Sequence, residues 1–147
     1  MARSRLKSKG RSEDGYFIQI PHALYDSPVF TSLSGTEHKV LLGLMRQYRG
    51  KNNGNLSASH TQAKVWGVGS KTSLAKALER LQQLDLIIRT REGVFLNPGG
   101  RCALYALAWK QIDDCPGKDL EVNPTTTPPL KLSMLNRRMP GPVSVPG

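Results

Sequence analysis

The chain has 147 residues, 38% of them hydrophobic, only two cysteines, and a formal net charge of +10. That is one domain's worth of sequence with a modest core, and no apolar run approaches the roughly 20 residues of a membrane-spanning helix. The charged start has no apolar stretch after it, which argues against a secretion signal. Cys102 and Cys115 form no CxxC pair and read as reduced, unpaired thiols of a cytoplasmic protein.

The charge is unevenly spread. Residues 1–11 carry Arg3, Arg5, Lys7, Lys9 and Arg11 and no acid; residues 12–115 carry twelve bases against nine acids; residues 116–147 carry four against two. A basic chain attracts polyanions, of which the phosphate backbone is the commonest in a cytosol. Three zones follow. Residues 1–14 are a basic flexible arm without apolar period. Residues 15–114 hold nearly all the periodic apolar pattern. Residues 115–147 read as an extended Pro/Thr-rich tail, since 116–147 contain seven of the ten prolines.

In chain order, Tyr16–Ile20 reads as extended. Pro21 opens a short helix to Tyr25, and Pro28 stops it. Ser34 and Glu37 have capping-box spacing. After them Leu41, Leu44, Met45 and Tyr48 form one helical stripe, with Lys39, Gly43 and Arg46 facing the other way and Gly50 ending the helix. Asn52–Asn55 is a turn, and Leu56–Ser57 a very short strand. A second helix runs from about Ser59 to Trp66. Gly67–Gly69 breaks it, and Ser70 caps a third that runs to about Leu84. On the third helix Leu74, Ala77, Leu78, Leu81 and Leu84 share one arc. The opposite arc holds Thr72, Lys76, Glu79 and Gln83, flanked by Ser73 and Arg80. Leu86–Arg91 and Arg101–Trp109 read as two strands joined by the Gly-rich residues 92–100. Along the second, Tyr105, Leu107 and Trp109 alternate and belong to the core.

Helix, helix, glycine turn, helix, hairpin is an order that can brace one helix for the major groove of B-form DNA. Residues 63–87 resemble the winged helix-turn-helix superfamily through Ala63, Gly67–Val68, Ser73–Leu74, Lys76–Leu78, Leu81 and Leu86–Ile87. Two positions depart from that pattern: Gly69 stands where a capping Ser is common, and Asp85 replaces the helix-ending Gly. A longer likeness, through Phe17–Pro21, Leu33–Ser34, Asn52–Gly54 and Leu104–Trp109 up to Asp113, resembles helix-turn-helix proteins of phages, prophages and conjugative elements.

The resemblance implies an α+β winged helix: a three-helix core, a β-hairpin wing, a flexible arm and a Pro-rich tail. It also implies roles for matching positions. Lys71, Thr72, Ser73 and Lys76 lie on the half of the recognition helix that enters the groove, and Arg80 lies lower, toward phosphate. Arg89, Arg91 and Arg101 lie on the wing. Arg3, Arg5 and Lys7 suit a minor-groove arm. The expected function is double-stranded DNA binding in transcription regulation or replication on a bacterial mobile element. Palindromic operators would suit a homodimer.

The competing reading is a protein-binding adaptor or inhibitor of a host complex on the same scaffold. It draws on Glu79, on the small charge excess of the core and on the apolar tail residues Leu130–Leu135. RNA binding through arm and wing is a third reading. Solubilising roles for the arm, edge-blunting arginines and a plain solvated helix face account for the same charges. An enzyme is not expected. His22, His38 and His60 show no metal spacing, no phosphate-cradling GxxxxGK[ST] or GxGxxG run occurs, and Asp113–Asp114 ends a strand without a partner base. No cofactor or membrane contact is expected.

Overall fold

The computed structural model describes residues 16–94 and 100–137, with side chains through Leu135. Four of its five α-helices begin on a serine whose hydroxyl accepts the backbone N–H three residues on: Ser27 before α2 (Pro28–Thr31), Ser34 before α3 (Gly35–Gln47), Ser59 before α4 (His60–Val65) and Ser70 before α5 (Lys71–Gln83). Each such cap satisfies a donor that the helix itself leaves open, worth about 1 kcal/mol. Ser34–Glu37 closes the expected capping box, and Ser59–Gln62 closes a second. The remaining helix, α1 (His22–Tyr25), follows Pro21. The short helix ends at Tyr25, before Pro28, and Pro28 itself starts α2, because a proline at the first helical position gives up only an N–H that has no partner anyway.

The strands are β1 (Leu56–Ser57), β2 (Ile87–Arg91) and β3 (Leu104–Leu107), antiparallel in the order β1-β3-β2. The structure is therefore α+β. Leu56 pairs with Tyr105 and Ile87 with Leu107, and the β2–β3 register shifts between Arg89 and Arg91. Thr90 is the extra residue, and it turns inward to donate its hydroxyl to Gly54 O at 2.6 Å. β3 is shorter than the expected Arg101–Trp109. Beyond an isolated Val94–Arg101 bridge it begins at Leu104, and past Leu107 the chain turns as Lys110 N donates back to Leu107 O.

The core lies between α3, α5 and the sheet. Val40, Leu41 and Leu44 on α3 and Leu74, Ala77, Leu78 and Leu81 on α5 are all buried, as are Tyr105, Leu107 and Trp109. Burying each of the larger side chains contributes about 1.5–3 kcal/mol. Gly43, expected on the outer face of α3, is buried instead: the Trp66 ring lies flat over it, and a Cβ at that position would come within 2.3 Å of two ring carbons. The helical stripe is wider than the period suggests because Trp66, which follows α4, packs over the second side of α3.

The largest departure is at the C-terminal end. Residues 115–135 are not an extended tail. Ile112 and Thr125 exchange hydrogen bonds, Glu121 N donates to Thr90 O at 2.7 Å, and Leu130 N donates to Ala108 O at 2.9 Å. The segment ends in a 3-10 turn, Leu132–Arg137, which packs against α1 and α2, and Leu130 and Leu135 are 8% and 0% exposed. The boundary expected at 114/115 therefore falls inside the packed unit. The apolar residues of 130–135, expected to offer themselves to a partner, are largely spent on the chain's own core. Prolines obscured this because they prevent regular structure without preventing packing.

Candidate nucleic-acid interface

Helix α5 is amphipathic by construction. Its buried arc faces α3, and its other side is open. Lys71, Thr72, Ser73, Ala75 and Lys76 are all exposed. Ser70, in extended backbone, accepts from Ser73 N at 3.1 Å, and its hydroxyl also meets the Ser73 hydroxyl at 3.0 Å. No acid lies in the first turn. The open N–H groups and the positive end of the helix dipole therefore coincide with Lys71, a combination suited to phosphate. Neither Lys71 nor Lys76 pairs with a carboxylate among the described residues.

The angle at which α4 delivers the chain to α5 is set by the turn at Gly67. Its φ is +91°, and Lys39 Nζ donates to its carbonyl at 3.3 Å. Val68, 3% exposed, plugs the corner, and its N–H donates to Ala63 O. At the other end of α5, Asp85 adopts φ +60°, the left-handed conformation that glycine takes more readily, so the corner keeps its geometry without one.

The second half of α5 differs from the first. Arg80 turns toward α3, with Nε 3.9 Å from Glu37 Oε1. Glu79 is exposed and accepts from Gln83 Nε2 at 3.4 Å. The expectation of Arg80 as a phosphate contact thus meets a side chain already drawn to an acid, though a partly exposed pair of this length holds it weakly.

Arg89, Arg91 and Arg101 do gather on the β2–β3 hairpin, but each guanidinium has oxygen partners. Arg89 lies 3.1 Å from Glu92 and over the Tyr105 ring, 5.7 Å from its centroid. Arg91 donates to Cys102 O and to Lys118 O. Arg101 lies 3.6 Å from Asp119 and 3.7 Å from Glu121. Residues 118–121 therefore lie against the hairpin and compete for its cations. The sequence reading missed this because the segment carrying Asp119 and Glu121 looked like a tail. Arg3, Arg5 and Lys7, proposed as an arm, lie outside the described residues.

His38 Nε2 lies 3.0 Å from Phe30 O, so this ring ties α3 to α2. His60 Nε2 is buried without a hydrogen-bond partner among the described residues. Cys102 and Cys115 are free thiols, and burial followed by the Asp113 and Asp114 carboxylates pushes the Cys115 thiol up. Among the described residues no group of three or more His, Cys, Asp or Glu gathers to hold a metal ion, and no helix is long and apolar enough to cross a membrane.

No protein-family model matches the chain, and no curated protein or solved structure matches it either.

Proposed function

We propose that the chain is a double-stranded DNA-binding protein of the winged helix-turn-helix kind, with α5 as the helix that enters the major groove. The observation that carries this reading is the exposed N-terminal half of α5. There Lys71, Thr72, Ser73 and Lys76 form an open polar face with no acid in the first turn and, among the described residues, no ion pair, on a helix fixed from behind by Leu74, Ala77, Leu78 and Leu81. The net charge of +10 supports it by favouring encounter with any polyanion.

In this reading Lys71 and the α5 N-terminus position the protein on phosphate, while Thr72, Ser73 and Lys76 reach base edges. Arg89, Arg91 and Arg101 are a secondary surface, because residues 92 and 118–121 already supply their oxygen partners. The setting in this reading, which draws on the sequence resemblance to phage and conjugative-element proteins, is a cytoplasmic protein of a bacterial mobile element, acting in transcription regulation or replication.

Duplex binding measured against salt tests the reading. Affinity should fall steeply with salt, as each neutralised phosphate releases counterions. Lys76→Ala should weaken binding by about 1–3 kcal/mol, on a preferred sequence more than on others if Lys76 reads a base. A shallow salt dependence together with an unaffected Lys76→Ala variant would refute it.

A further inference from the structure

A second basic surface lies away from α5. Where α3 ends, a cleft opens between the extended residues Tyr16–Gln19 and the turn after the helix. Two adjoining hollows of about 300 and 640 Å³ share Tyr16, Phe17, Ile18, Tyr48 and Arg49 along their walls. Met45, Leu107 and Trp109 line the smaller one, all of them core residues, so its base is a rigid apolar surface.

Two features of the cleft are unusual in combination. Tyr16 is fully exposed and Phe17 is 74% exposed, so two large rings stand in water at its mouth. A ring of that size left in solvent forgoes a substantial burial free energy. Around them Arg46 and Arg49 are exposed, and neither pairs with a carboxylate among the described residues; Lys110 pairs with none either. Lys110 instead lies over the Tyr48 ring, its Nζ 5.8 Å from the centroid. The arginines of the β2–β3 hairpin are different, each being occupied by oxygen.

Among the described residues the carboxylate that acts on Tyr48 is Asp113, which accepts from Asn53 N at 2.8 Å and so is held by the fold. Burial first, and then that carboxylate, raise the Tyr48 phenol above its usual range.

We propose that this cleft binds single-stranded nucleic acid, with bases stacked on Tyr16 and Phe17 and phosphates held by Arg46, Arg49 and Lys110. Cations without a carboxylate partner among the described residues, set beside exposed π-faces, are what a strand with free bases requires. A duplex hides its base faces, and an acidic peptide would use the cations and leave the rings in water. None of these side chains belongs to α5, so the cleft and the proposed duplex surface are separate and stand or fall independently.

The test is anisotropy of a short fluorescein-labelled oligothymidylate with the full chain. Tyr16 and Phe17 are exposed, so their replacement should leave the urea midpoint unchanged. Phe17→Ala and Arg49→Ala should each weaken binding roughly tenfold, within the range that stacking supplies per base. An abasic oligomer of equal length should bind more weakly than oligothymidylate and be indifferent to Phe17→Ala. Three results would overturn the proposal: wild-type affinity in Phe17→Ala, loss of oligothymidylate binding in Lys76→Ala alone, or displacement of the oligomer by polyglutamate as readily as by unlabelled oligothymidylate. Absence of duplex binding would count against α5 as a reading helix and not against the cleft.

Discussion

Gly43 and Asn53 show how single residues fix the frame that presents α5. A mid-helix glycine costs about 1 kcal/mol relative to alanine, so propensity alone favours Gly43→Ala. The Trp66 ring decides otherwise, because a Cβ would come within 2.3 Å of it. Overpacking of that kind costs roughly 1–3 kcal/mol. Gly43→Ala should lower the urea midpoint, whereas the same change in a Trp66→Leu background should be neutral or stabilising; a double-mutant cycle by urea unfolding reads the difference. Asn53, 0% exposed, joins the turn before β1 to β3. Its amide donates to Leu107 O at 3.0 Å and Gln111 O at 2.8 Å and accepts from Leu107 N at 2.7 Å. Asn53→Ala would take this partner from the buried Leu107 N and the partly buried Gln111 O, while Leu107 O would keep Lys110 N; a buried group left open costs about 1–3 kcal/mol. It should destabilise by more than Gly43→Ala, with early hydrogen exchange at Leu107.

Among the elements, the C-terminal segment is the one that alters the candidate surface on the hairpin. Residues 118–121 lie along the β2–β3 hairpin and bring Asp119 and Glu121 to Arg101 and the Lys118 carbonyl to Arg91. On the proposed function, these oxygens stand where phosphates would. The double variant Asp119→Asn with Glu121→Gln should therefore bind duplex DNA more tightly. Its log–log salt slope should steepen by about one for the freed arginine. Anisotropy across a salt series checks both, and an unchanged slope would place the hairpin outside the contact surface. Elements were legible in the sequence to the extent that their signals were local. Ser34 with Glu37 and Ser70 with Ser73 declare helix starts within three residues, and Leu74, Ala77, Leu78 and Leu81 mark a buried arc by period. Ser59 with Gln62 carried the same capping signal for α4. The exposed face of α5 emerged where that arc left it. The partners of Arg91 and Arg101 were not legible, because they arrive from 27 and about 20 residues away in sequence, through a segment whose prolines hide its leucines.

At the scale of the whole molecule, the packed unit runs from the residues before α1 to Leu135. Leu130 and Leu135 are buried in the same core cluster as α3 and α5. Burying two leucines contributes roughly 3–6 kcal/mol, at about 1.5–3 kcal/mol each. That is comparable to the 5–15 kcal/mol by which domains of this size are stable. A chain ending at residue 115 should therefore unfold at much lower urea, with loss of cooperativity, in circular dichroism. If it melted like the full chain, the C-terminal packing would be ornamental.

The sheet order β1-β3-β2 places the last strand made at the centre. During synthesis, then, Leu56–Ser57 leaves the ribosome long before Tyr105 exists to pair with it, and the cluster closes only when Leu135 emerges. Folding of the residues before β3 is thus denied the sheet, and the nascent chain must hold its helices loosely until residues 104–135 have emerged. Helix α5 therefore gains its final geometry only after the segment up to Leu135 has been made and packed.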